Sequence, residues 1–140
     1  MAPTVRNLMK PNPLTFDESA TVLEAARAMR DRDIGDVLVT GSGGKLAGIV
    51  TDRDIVVRGI ADGRDPNNTK LREICSGSLT SVRPDDSYET AVGRMRESSV
   101  RRLPVIDGDR PVGIVSIGDL AIERDDGSAL ADISAAPSNR

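Results

Sequence analysis

The chain repeats itself, and this constrains its fold more than any single motif does. At an offset of 66, VRNLM (5–9) lies on LREIC (71–75), TVLEAARAMR (21–30) on SYETAVGRMR (87–96), and IGDVLVT (34–40) on VRRLPVI (100–106). One residue is then lost, because GSGGKLAG (41–48) faces the shorter DGDRPVG (107–113), and GIVTDRD (48–54) meets GIVSIGD (113–119) at an offset of 65. A register held this long with a single gap describes two copies of one supersecondary unit. A lone unit of about sixty residues is marginally stable, so the two copies are expected to fold together.

Each copy carries the same patterning. Val22, Ala25, Ala26 and Met29 form an i, i+3, i+4, i+7 stripe that predicts a helix over 21–30. Tyr88, Ala91, Val92 and Met95 repeat it over 87–96. Thr21 with Glu24, and Asp86 with Glu89, read as capping boxes at the two helix starts. DVLVT (36–40) and LAGIVT (46–51) read as strands joined by a Gly-rich turn, matched by LPVI (103–106) and VGIVS (112–116). Short strands are expected near Leu14–Phe16 and Thr80–Val82, and short helices are expected to start at Asp52 and Ile117.

The expectation is a mixed α/β (α+β) fold of two β-α-β-β-α units packed through their sheets about a pseudo-twofold axis. Residues 1–61 form the first unit, 62–70 a polar linker, 71–122 the second unit, and 123–140 a mostly flexible tail in which Leu130 and Ile133 can dock one turn.

Composition narrows the function. The chain has no histidine, which removes the commonest general base, the commonest zinc ligand and every Ser/His or Cys/His nucleophile pair. Hydrolytic catalysis is not expected. A net charge of −3 gives no field to attract nucleic acid or an anionic membrane. Aromatics make up 1% of the chain, so there is no platform for stacking bases. The N-terminal residues lack the pattern of a signal peptide, and no apolar run approaches the roughly 20 residues that span a bilayer. Cys75 is the single cysteine, which fits a reducing, cytoplasmic setting.

GSGGK (41–45) lacks the spacing of a phosphate-binding loop and falls in a hairpin. Asp52-Arg53-Asp54 is too sparse for a magnesium site, and Cys75, aligned with Met9, reads as a small apolar core residue. The pairs Thr51/Asp54 and Ser116/Asp119 have two compatible readings. A hydroxyl at the N-cap with an acid three residues on caps a helix. The same arrangement sets a carboxylate beside a helix start, whose free N–H groups can hold an anion.

The whole pattern, LPVID (103–107) with GIVTDRDIV (48–56) and GIVSIGDL (113–120), resembles the CBS domain, named after cystathionine β-synthase. Two in tandem resemble a Bateman module, and the architecture is similar to stand-alone bacterial CBS-pair proteins. The resemblance implies a non-catalytic regulatory module that binds an adenosine-containing ligand (AMP, ADP, ATP or S-adenosylmethionine) in clefts between the units. It implies ribose contacts from Asp54 and Asp119, and hydroxyl contacts from Thr51 and Ser116. Arg101 and Arg102 occupy positions where the family places basic residues for phosphates; strand alternation turns one of them outward and favours Arg102 as the contact.

In the first unit Gly35 and Asp36 stand in their place, leaving Arg53 as a phosphate contact or a plain surface arginine. The walls for adenine are aliphatic, from Ile34, Leu38, Ile49 and Pro104. Val56, Val57 and Ile60, with Leu120, Ala121 and Ile122 as counterparts, suggest a homodimer through the closing helices. The alternative is a ligand-independent scaffold for an unknown regulated protein.

Overall fold

The computed structural model describes residues 3–76, 80–124 and 133. The elements run α1 (Val5–Leu8), β1 (Lys10–Pro11), β2 (Thr15–Asp17), α2 (Val22–Arg32), β3 (Asp36–Thr40) and β4 (Leu46–Thr51). A helical turn α3 (Asp52–Asp54) then widens into a π-helical turn over Ile55–Ile60. A 3₁₀ turn Leu71–Glu73, α4 (Tyr88–Ser98), β5 (Arg102–Asp107), β6 (Arg110–Ser116) and α5 (Ile117–Arg124) follow. The mixed α+β class is as the sequence reading expects.

The chain divides into two compact bodies, and their boundaries cross the repeat boundaries. One body is Leu14–Leu79; the other joins Met1–Pro13 to Thr80–Arg140. Each repeat's leading segment therefore packs on the body of the other repeat. In the body of residues 14–79, β2 pairs parallel with β3 and β3 antiparallel with β4, while Ser76 bridges antiparallel to Ile49 at the outer edge. In the other body, Val82 bridges parallel to Val105 in β5, β5 pairs antiparallel with β6, and β1 pairs antiparallel with β6. The two sheets have the same plan, down to a register shift at Val39/Thr40 and another at Val105/Ile106.

The cores follow the repeat position by position. Ala25, Met29, Val37, Val39, Val50 and Ile55 fill one, and Ala91, Met95, Leu103, Val105, Val115 and Leu120 fill the other. The borrowed segments add Leu71 and Ile74 to the first and Val5 to the second; Val5 and Leu71 are fully buried. Leu120, expected on an outer face, is core, because α5 lays it against its own sheet.

Local signals explain most of the elements. Thr21 Oγ1 accepts the Glu24 N–H and Glu24 returns to the Thr21 N–H, the expected capping box. At α4 the expected Asp86–Glu89 box does not form. Ser87 caps instead, accepting the Thr90 N–H at 3.1 Å, while Asp86 accepts the Arg83 N–H at 2.8 Å and pairs with Arg94. Both long helices end on a left-handed non-glycine residue, Asp33 and Ser99, again at matching positions.

Residues 62–70, expected to be a linker, are built into the body. Thr69 O and Pro66 O accept the Val22 and Leu23 N–H groups and so satisfy donors that a helix start leaves open. Near Thr80–Val82 the expected strand is reduced to the single Val82 bridge. In the tail, Ile133 is exposed, and Leu130 lies outside the described residues.

The first glycine of each GIV motif has a steric cause. A Cβ on Gly48 would lie 2.9 Å from Ser76 O and 2.8 Å from Cys75 Sγ. A Cβ on Gly113 would meet Lys10 O at 2.9 Å and would collide with Met9 Sδ. These backbones approach closely because the borrowed segments cross the sheets here. Gly48→Ala and Gly113→Ala are each expected to lose about 1–3 kcal/mol in urea unfolding. Gly93→Ala, in α4 with open space around it, is expected to hold or gain up to about 1 kcal/mol.

Candidate functional site

The two hydroxyl–carboxylate motifs fold into the same device. In the first, the Asp54 N–H donates to Thr51 Oγ1 at 3.1 Å, and the Thr51 N–H donates to Asp54 Oδ2 at 2.9 Å. In the second, the Asp119 N–H donates to Ser116 Oγ at 3.1 Å, and the Ser116 N–H donates to Asp119 Oδ2 at 2.9 Å. Each pair joins the end of a strand, β4 or β6, to the start of the closing helix, α3 or α5. All four residues are half-buried, so they sit at the surface without being free to swing. The capping reading is thus realised in both copies.

Capping engages one carboxylate oxygen of each aspartate and leaves Oδ1. Here the copies part. Asp54 Oδ1 faces Arg58 Nε at 3.9 Å, one helical turn on. Arg58 Nη1 also reaches Ile74 O at 3.4 Å and Ser76 Oγ at 3.5 Å. Asp119 Oδ1 has no hydrogen bond or ion pair among the described residues, and the sequence sets Glu123 at the position that answers to Arg58. Arg58 was missed from the sequence, although an acid and a base four residues apart on a helix is a legible signal.

The strand ladders add a second contrast. Arg102 stands opposite Ser116, whereas Asp36 stands opposite Thr51. Arg101 is exposed and Arg102 half-buried, the alternation expected of a strand. Their backbone roles agree across copies, with Gly35 O accepting the Asp52 N–H and Arg101 O accepting the Ile117 N–H. Asp52 also takes the Arg53 N–H on its own carboxylate at 2.8 Å, and in the second copy Ile117 has no carboxylate to offer there. Arg53 is exposed. The first copy therefore gathers Asp36, Asp52, Arg53, Asp54 and Arg58, and the second Arg101, Arg102, Ser116 and Asp119.

Of the expected aliphatic walls, Leu38 and Pro104 are buried, while Ile34 and Ile49 keep some surface. No group of three or more His, Cys, Asp or Glu residues suited to a metal ion occurs among the described residues. Likewise, no helix among them is long and apolar enough to cross a membrane. Cys75 packs on the core beside Gly48, and burial pushes its thiol above the ordinary range.

The CBS-domain family model matches residues 5–59 and 71–125, both copies of this device included. The chain belongs to the CBS-domain family. Hypoxic response protein 1 of Mycobacterium tuberculosis is 39% identical over 118 residues, 84% of this chain and 82% of that protein. The CBS domain-containing protein YhcV of Bacillus subtilis is 38% identical over 135 residues, 94% of this chain and 95% of that one.

Among solved structures, Hypoxic Response Protein I with two coordinated zinc ions superposes with a TM-score of 0.77 at 38% identity, covering 86% of this chain and 98% of that one. The CBS domain pair of protein MJ0100, in complex with 5′-methylthioadenosine and S-adenosyl-L-methionine, has the same fold, with a TM-score of 0.76 at 24% identity over 86% of this chain and 94% of that one. The zinc belongs to the first of those proteins; this CBS pair has one cysteine and no histidine.

Thr51→Ala and Ser116→Ala each remove a cap, and each is expected to cost about 0.5–2 kcal/mol in urea unfolding. The raised Cys75 thiol holds less thiolate at pH 8 than free cysteine does, so its alkylation by iodoacetamide is expected to be slower in the folded protein than after urea unfolding.

Proposed function

We propose that this CBS pair is a non-catalytic regulatory module that binds an adenosine-containing ligand (AMP, ADP, ATP or S-adenosylmethionine) and acts as a homodimer. The observation that carries the reading is the spare carboxylate oxygen of Asp119. With Oδ2 fixed on the Ser116 N–H, Oδ1 is oriented and accepts hydrogen bonds from a vicinal diol. The cap lends the aspartate its rigidity, so little ordering is left to be done on binding.

Arg102, across the ladder from Ser116, supplies positive charge for a phosphate. Arg101, exposed on the same strand edge, adds to the field. The first copy is a poorer phosphate site, since Asp36 and Asp52 flank Thr51 and Asp54, with Arg53 and Arg58 beside them. Asp54 and Thr51 accordingly hold a ligand carrying less phosphate, and Asp119 is the first site to fill. A CBS pair of the same fold in complex with two adenosine derivatives is consistent with this ligand class. Regulation follows if the ligand favours one conformation of the pair and so changes the surface shown to a regulated protein.

The homodimer rests on exposed apolar side chains. Val56, Val57 and Ile60 on the π-helical turn are 57%, 42% and 57% exposed, and Val100, Ile117 and Ile122 are also exposed in the other body. Val100 and Ile117 border a groove of about 350 Å³ between α4 and α5, lined also by Tyr88, Val92, Met95 and Leu120. Exposed apolar side chains of this kind mark association surfaces, and each body carries its own set.

One observation favours a second reading, a scaffold that has lost its ligand: the acids around the first motif repel phosphate. A pull-down whose yield is the same with and without each nucleotide supports it.

Calorimetric titration with AMP, ATP and S-adenosylmethionine tests the first reading. Binding below millimolar is expected for at least one, weakened roughly 10- to 100-fold by Asp119→Ala through loss of charge-assisted hydrogen bonds. Absence of binding, or binding indifferent to Asp119→Ala, refutes the assignment. Ile60→Glu is expected to shift the protein from dimer to monomer in sedimentation velocity.

A further inference from the structure

Arg58 faces the spare oxygen of Asp54 at ion-pair distance, on the side where the proposed reading would put a ligand's diol. Its guanidinium is held from two sides. Nε faces Asp54 Oδ1 at 3.9 Å, and Nη1 reaches Ile74 O and Ser76 Oγ on the segment that crosses the edge of β4. Asp54 itself is 15% exposed, so the carboxylate has little other surface to offer. The second copy carries the same cap but has Glu123 at the answering position in sequence, and Asp119 keeps its Oδ1 open among the described residues.

We infer that Arg58 is an internal competitor at the first motif, paired electrostatically with the Asp54 oxygen that a ribose diol would take. This rests on the reading of Asp54 and Asp119 as diol acceptors. A ligand entering at Asp54 must first displace the guanidinium, which also frees the Ile74–Ser76 segment from its side-chain tether. The two motifs of one chain then differ in affinity although their caps are the same. The contact is half-exposed and spans one helical turn, so the handicap is small and graded rather than a complete block.

The test isolates the Asp54 motif in an Asp119→Ala chain and titrates it with adenosine, which has the diol and no phosphate. Adding Arg58→Gln is expected to tighten adenosine roughly twofold to fivefold, the range that an exposed ion pair's energy converts to. Arg58→Lys, which keeps a cation one turn from Asp54, is expected to stay near the starting affinity. Adding Asp54→Ala to Arg58→Gln is expected to abolish the gain.

Unchanged or weaker adenosine binding in Arg58→Gln overturns the inference. A loss confined to AMP also overturns it, by making Arg58 a phosphate contact. The unsubstituted chain, titrated in parallel, separates the two levels. If it binds through Asp119 while Arg58→Gln brings no gain, the role given to Arg58 falls alone. If no version binds adenosine, the diol reading falls with it.

Discussion

The approach of two backbones to within contact distance at Gly48 and Gly113 is the constraint on which the rest depends. In each sheet a borrowed segment, Cys75–Ser76 or Met9–Lys10, crosses β4 or β6 where a side chain would otherwise stand. That crossing carries Leu71 and Ile74 into one core and Val5 into the other, so neither repeat completes its core from its own residues. It also fixes the start of GIVTDRD and GIVSIGD, and the strand then delivers Thr51 and Ser116 to the sheet end three residues later. The position of the candidate site is a consequence of core packing.

From the same scaffold the two copies reach different electrostatics. Their caps agree to within the distances of the hydrogen bonds, as expected when a helix start needs its donors satisfied. Their surroundings do not agree, with Asp36, Asp52 and Arg58 around one carboxylate and Arg102 near the other. The cap satisfies the helix start in both copies, and the charges beside it take no part in those hydrogen bonds. A CBS pair built this way can carry different charges beside its two caps without altering its core.

The repeat was the most legible feature. Strands β3, β4, β5 and β6 and helices α2 and α4 follow from periodicity and turn chemistry, and the site pairs follow from the second copy's echo of the first. Other features were hidden for physical reasons. Self-similarity shows that Val5 and Leu71 are equivalent, but it does not say which core each one enters. Asp86 and Ser87 are both good acceptors, and which one caps α4 depends on Arg83 and Arg94 drawing Asp86 away. Leu120 reads as an outer residue from its apolar neighbours, yet it is buried in the core against Leu103, Val105 and Val115 of its sheet. The role of Arg58 is hidden because Asp54 serves both as a cap and as an ion-pair partner, and two roles for one carboxylate are separated by geometry, which spacing does not supply.

The central claim is that the caps which hold these helices also present carboxylates to a diol. Amide chemical shifts during an adenosine titration test it most directly, because the Thr51 and Ser116 N–H groups are bonded to the very carboxylates in question. The account predicts that the Ser116 amide shifts at lower adenosine concentration than the Thr51 amide, with both saturating. Saturable binding that leaves both amides unmoved would contradict it.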